Sequence, residues 1–240
     1  MPGVGTLINC ILIVLGGLAG LFIGKAMKEQ LQNTLMFAMG LSVIFIGAAG
    51  ALSKILFIEN GALSPQGTMM MIFSLALGGL LGELIDIEGA LKRFGVWLRE
   101  KSGSSGDKSF IRGFMSASLT VCIGAMAVIG SINDALYGDY EILLTKGILD
   151  LVIVMVMASS MGRGCIFSAI PVAIFQGTIT LLASLLGPVM TEAALENLSL
   201  VGSILIFCVG LNLCFEKRIK VANLLPSIVF AVVAAFLPWF

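Results

Sequence analysis

The stretch Cys122–Asp150, CIGAMAVIGSINDALYGDYEILLTKGILD, starts as an apolar helix, turns polar over SINDALYGDYE, and becomes apolar again with Lys146 and Asp150 inside the second run. A soluble core would accommodate such a pattern, but the chain around it is too oily for one. Of 240 residues, 58% are hydrophobic and 12% are charged, whereas an average soluble domain is about a quarter charged. Roughly 20 apolar helical residues cross a bilayer core about 30 Å thick. The fold class that follows is all-α, a polytopic helical membrane protein of one transmembrane domain covering residues 1–240.

Apolar run lengths, punctuated by Gly, Pro and charge, divide the chain into about eight candidate spans at 4–24, 33–53, 67–86, 110–131, 142–162, 165–187, 196–215 and 221–240. The basic residues test the division, because cytoplasmic loops retain Lys and Arg. Lys25, Lys28, Lys92, Arg93, Arg99, Lys101, Lys108, Arg112, Arg163, Lys217, Arg218 and Lys220 fall on one side, and Lys54 and Lys146 on the other. Both termini are therefore expected outside the cytoplasm. The N-terminal run lacks the basic start of a signal peptide and reads as a retained first helix. A re-entrant pair at SSMGRGC, 159–165, would preserve the parity elsewhere.

The hydrophilic connection 91–109 places Phe94, Trp97 and Leu98 at i, i+3 and i+4, the pattern of an amphipathic helix at the inner surface. The Ser/Gly run after it reads as a linker. Such a helix either lies on the membrane or docks a partner protein.

Residues 24–47 and 187–210 match at Met27/Met190, Glu29/Glu192, Leu35/Leu198 and Gly47/Gly210. The match pairs helices 1–2 with helices 6–7, an odd separation, so the copies would be antiparallel. Inverted repeats of this kind build many secondary transporters, with a site near the midplane.

The segments GTLINCILIVLGGLAGLFIGK at 5–25, GFMSASLTVCIGAMAVIGSINDALYGDYEILLTKGILD at 113–150 and FSAIPVAIFQGTITLLA at 167–183 together resemble the YdfK and YqgA family of bacterial integral membrane proteins. The resemblance spans nearly the whole chain. It implies a compact bacterial plasma-membrane protein, and it brings no substrate or site residues, because the family is uncharacterised.

Site residues must then come from chemistry. Asp150 lies about 12 Å into the fifth span at 1.5 Å per residue, where a carboxylate costs roughly 2.5–3.5 kcal/mol on insertion scales and needs water or a partner. It either pairs with Lys146, one turn earlier, or serves a solute or proton pathway. Asn133, Asp134, Asp139 and Glu141 cluster where the fourth helix ends; they form a solvated turn or an outer mouth that attracts a metal ion or an organic cation. Tyr137 and Tyr140 suit an interfacial aromatic belt. Gln176, Asn9 and Asn212 join helices or line a polar path, and Glu83 faces an inner vestibule or reaches the cytoplasm. Pro171, Pro226, Gly124 and Gly130 permit breaks in helices. Gly16, Gly20 and Gly24, with Gly78 and Gly82, form small faces for packing within the chain or for a homo-oligomer.

Several classes are disfavoured. Net charge is zero and no basic surface for nucleic acid is indicated. Histidine is absent, no phosphate-binding or dinucleotide motif occurs, and the five cysteines form no CxxC pair. An enzyme and a cofactor are not expected, and the metal content is open. The expected function is passage of a small ion or polar solute, with a cation slightly favoured; the competing expectation is a non-transporting membrane partner of another protein.

Overall fold

The computed structural model describes residues 3–25, 28–59, 62–104, 109–122, 125–187, 190–215 and 219–237. Among the described residues five helices are long and apolar enough to cross a membrane: Val4–Gly24, Thr68–Ile85, Glu141–Met161, Arg163–Leu181 and Glu192–Cys214. Each is less than half buried within the protein. Phe22, Phe45, Leu84 and Leu181 are 73, 72, 76 and 84% exposed. A water-soluble fold would pay heavily for this outward apolar surface, and a bilayer covers it. The chain is a multi-pass helical membrane protein.

In chain order the helices are α1 (Val4–Lys25), α2 (Glu29–Ile55), α3 (Thr68–Ile85), α4 (Ile87–Lys101), α5 (Phe110–Cys122), α6 (Ala125–Tyr137), α7 (Glu141–Met161), α8 (Ala169–Leu181), α9 (Ala183–Leu186), α10 (Glu192–Cys214) and α11 (Pro226–Ala234). Short 3₁₀ turns at Arg163–Ser168 and Val221–Leu224 lead into α8 and α11. Length and composition carry up to six crossings when α5 and α6 count as one broken span. The other two expected spans, 33–53 and 221–240, coincide with the shorter apolar helices Gly40–Ile55 and Val221–Ala234.

The expected span 110–131 is broken: α5 and α6 meet at a bend of 62°. Gly124, singled out for such a break, lies outside the described residues, as do Lys108, Lys217, Arg218, Met27 and the end of the Ser/Gly linker from residue 105. Helix α6 also runs on through Asn133 and Asp134 to Tyr137, so these two residues are helical and not part of a turn.

Backbone contact at glycine sets the helix packing. A Cβ on Gly16, Gly20 or Gly24 of α1 would collide with the carbonyl oxygens of Leu151, Met155 and Ser159 on α7. Contacts rise together along both helices, so α1 and α7 run parallel. On α2, Gly40 meets Cys214 and Gly47 meets Phe207 of α10; on α3, Gly78 meets Ser227 and Gly82 meets Asn223. These two pairs run antiparallel. All three directions are those that the basic-residue parity requires. The glycine faces of α1 and α3 are therefore filled from within the chain.

A two-stranded hairpin, Leu56–Glu59 with Ala62–Pro65, joins α2 to α3. It has no counterpart in the helical reading, although the sequence pair Asn60-Gly61 is a strong hairpin signal; that pair lies outside the described residues. The amphipathic segment is α4, beginning at Ile87, earlier than the hydrophilic pattern suggests. Asp86 adopts φ 56° and accepts from the Gly89 amide at 3.1 Å, capping the helix. Its apolar face turns inward: Leu98 packs with Phe110 and Phe114, and Phe94 meets Phe114 edge-on at 6.0 Å. Trp97 stays half exposed.

Candidate functional site

Lys146 and Asp150 form an ion pair one turn apart on α7, and both are buried, 6 and 4% exposed. The Lys146 ammonium also donates to the Val121 carbonyl at 2.7 Å. Val121 lies in the last turn of α5, whose carbonyls have no intrahelical partner and carry the negative end of the helix dipole. Lys146 therefore closes the open end of a broken span and neutralises Asp150 at once. Of the two readings of Asp150, this geometry adopts the paired one in the conformation described.

Helix α1 supplies the next wall. Gly147 lets it approach closely, since a Cβ there would lie 2.8 Å from Leu12 Cδ1 and 3.2 Å from Asn9 Cα. Asn9 is fully buried beside the Asp150 carboxylate, yet neither its amide nitrogen nor its oxygen makes a well-formed hydrogen bond. Gln176 repeats the condition on α8, 1% exposed between Val172 and Ile179, with both amide heavy atoms unpartnered. The hydroxyls of Thr6, Ser118 and Ser131 are buried without partners as well. Buried amides normally find partners, so these positions mark an interior prepared for more polar contact than the fold itself supplies.

The outer acidic residues separate into distinct roles. Asp134 is 1% exposed, and its Oδ2 accepts from the amides of Gly3 and Gly5 at 3.0 Å each. A carboxylate on orphan amides at a helix N-terminus is favourable, so Asp134 clamps α1 to α6. Asp139 is exposed, and its Oδ1 accepts from the Glu141 amide at 3.0 Å, capping α7. Asn133 lines a cavity of about 520 Å³ shared with Tyr137 and Met190, while Asp139 and Glu141 lie on the exposed surface. The expected acidic mouth thus resolves into a clamp, a cap and one amide. Among the described residues no three His, Cys, Asp or Glu side chains converge on a metal-holding position.

The opposite end holds a polar tie that sequence reasoning missed. The Asn223 carboxamide accepts from the Glu88 amide at 2.7 Å and donates to Glu83 at 2.6 Å. Glu88 is buried and accepts from the Ala222 amide at 3.3 Å, while Lys220 pairs with Glu83. This hydrogen bond to Glu83 holds the Lys220 amine above its usual range. The α3–α4 junction is thereby fastened to the turn before α11. Asn212 is a local staple, bonded to both backbone groups of Ile219.

With this geometry in place, comparison with known proteins becomes informative. Residues 4–236 match the family model described as Protein of unknown function (DUF554). The chain belongs to the DUF554 family. It is 33% identical over 232 residues to the Uncharacterized membrane protein YdfK of Bacillus subtilis (strain 168), covering 97% of this chain and 95% of that protein. It is 28% identical over 243 residues to the Uncharacterized protein YqgA of Escherichia coli (strain K12), covering 99% of each. No solved structure matches. The resemblance of the three quoted segments to these proteins therefore extends through the whole DUF554 match, and the name of the Bacillus relative agrees with the membrane assignment.

Proposed function

We propose that this DUF554 protein is a transporter or channel for a small ion or polar solute in the bacterial plasma membrane, rather than an enzyme. The observation that carries the reading is a pair of buried carboxamides in spanning helices, Asn9 against the Asp150 carboxylate and Gln176 with both amide heavy atoms unpartnered. A rigid membrane scaffold gains nothing from an unpartnered buried amide such as Gln176, whereas a conformation that admits a solute gives it partners. The broken α5–α6 span and Lys146 at its end belong to the same reading, because discontinuous helices recur at transporter sites.

Antiparallel contacts between α1 and the α8 region, α2 and α10, and α3 and α11 suit an inverted repeat of helices 1–2 against 6–7, extended to 3 against 8. In the proposed orientation both termini and Asn133 face outward, and α4 faces the cytoplasm. Fusion of a reporter active only outside the cytoplasm should give signal at either terminus and none within 102–104.

Because Lys146 already neutralises Asp150, the initial preference for a cation gives way to a neutral or zwitterionic solute, with an ion admitted only if Lys146 moves. Uptake into proteoliposomes tests this. Labelled amino acids, polyols and alkali cations are presented to the wild type and to Asp150→Asn. The proposal expects at least one to move and the variant to slow it tenfold or more; no movement of any probe, with the variant indistinguishable, defeats it. The competing partner-protein reading is weakened by the inward packing of α4, which leaves Trp97 as its exposed large apolar side chain among charged neighbours such as Lys92, Arg93 and Glu100.

A further inference from the structure

At the basic end of the molecule, a cavity of about 400 Å³ opens between α1 and the turn Arg163–Ser168. Its floor is apolar, formed by Leu18, Leu21, Ile166 and Phe167, and it continues outward past Phe22, 73% exposed on the membrane-facing side of α1. Its rim is polar: Arg163 on one side, Ser102 and Ser104 on the other. An adjoining cavity of about 310 Å³ shares Leu21 and Arg163 and adds Ser159.

Arg163 is exposed, and among the described residues no carboxylate forms an ion pair with it. The Ser102 hydroxyl donates to the Arg99 carbonyl at 3.1 Å and meets the Ser104 hydroxyl at 3.2 Å. Arg99 itself has a buried Nε without a partner. The rim thus presents guanidinium charge with no paired carboxylate on one side and, on the other, the Ser104 hydroxyl as a donor, the Ser102 proton being held by the Arg99 carbonyl; the rest of the lining is apolar.

The geometry points to a binding site for an anionic phospholipid, with the phosphate on Arg163 and the Ser104 hydroxyl and an acyl chain along Leu18, Leu21 and Ile166. Guanidinium suits phosphate because its planar donors engage two oxygens together. The location fits as well, since basic pockets between helices at the cytoplasmic face take lipid headgroups. A free phosphate ester would use the rim and leave the apolar floor empty. The floor decides between the two sources in favour of the lipid. This site is separate from the Lys146–Asp150 interior and stands whether or not the protein transports anything.

Native mass spectrometry of the full chain in detergent tests it, with phosphatidylglycerol and phosphatidylcholine of identical acyl chains offered together. The wild type should retain phosphatidylglycerol preferentially, Arg163→Gln should cut that retention about tenfold to the phosphatidylcholine level, and excess glycerol 3-phosphate should not displace it. A second variant, Leu18→Trp, obstructs the floor without touching charge and should lower retention too, so poor recovery of one protein leaves the other informative. Equal retention of the two lipids, unchanged retention in the recovered variants, or ready displacement by glycerol 3-phosphate overturns the assignment.

Discussion

At the scale of single residues, the centre of the molecule is governed by a buried charge pair. Breaking such a pair by removing one member typically costs about 3–5 kcal/mol, whereas replacing both with apolar groups is often neutral or better. Lys146→Met alone and Asp150→Leu alone should therefore each destabilise the protein by roughly that amount, and the double variant should recover most of it. Thermal unfolding in detergent reads this directly; additive losses would mean that the two side chains act independently. If the pair exists only to hold α5 and α7, the recovered double variant also keeps any flux; if it serves passage, flux is lost while stability returns. The i, i+4 spacing made the pair legible in sequence. The Val121 carbonyl was not, because a backbone acceptor at a helix break carries no residue signature. Asp134 was misplaced for a related reason: its partners are amides of Gly3 and Gly5, at the far end of the chain in sequence.

At the scale of elements, glycine spacing was legible and its partner was not. The GxxxGxxxG face of α1 fits either a second copy or a neighbouring helix, and only the three-dimensional arrangement assigns it to α7. Gly20→Leu would drive a side chain into the Met155 carbonyl, a backbone group that cannot rotate aside. Overpacking costs about 1–3 kcal/mol, and the loss should be at the upper end here. The same substitution at Gly177, where a Cβ would meet nothing within 4 Å, should leave the melting temperature nearly unchanged. Equal effects at the two positions would show that α1 does not rest on α7 through this face. The broken span illustrates a further limit: Gly124 and Gly130 permitted a break, but hydropathy alone reads 110–131 as one crossing where the backbone bends by 62°. Amphipathic α4 shows the converse, since its periodicity correctly announced a helix but could not say that Phe94 and Leu98 face the protein's own Phe114.

At the scale of the whole molecule, membrane character and helix directions follow from composition and the placement of Lys and Arg, because both depend on the bilayer more than on tertiary detail. The proposed polar path would depend on side chains distant in sequence: Asn9 on α1 meets Asp150 on α7, and Gln176 on α8 gains meaning only when seen buried without a partner. The central claim is that water and solute reach the level of Lys146 and Asp150 in some conformation. Two native thiols, Cys10 and Cys122, lie within electrostatic reach of that pair, while Cys165, Cys208 and Cys214 can be replaced by Ala. In membranes carrying that protein, a small hydrophilic methanethiosulfonate reagent added from one side and then from the other should modify Cys10 or Cys122 at measurable rates from both sides, and Asp150→Asn should change the balance between them. Absence of modification from either side, in a protein whose thiols react fully once unfolded, would contradict the account.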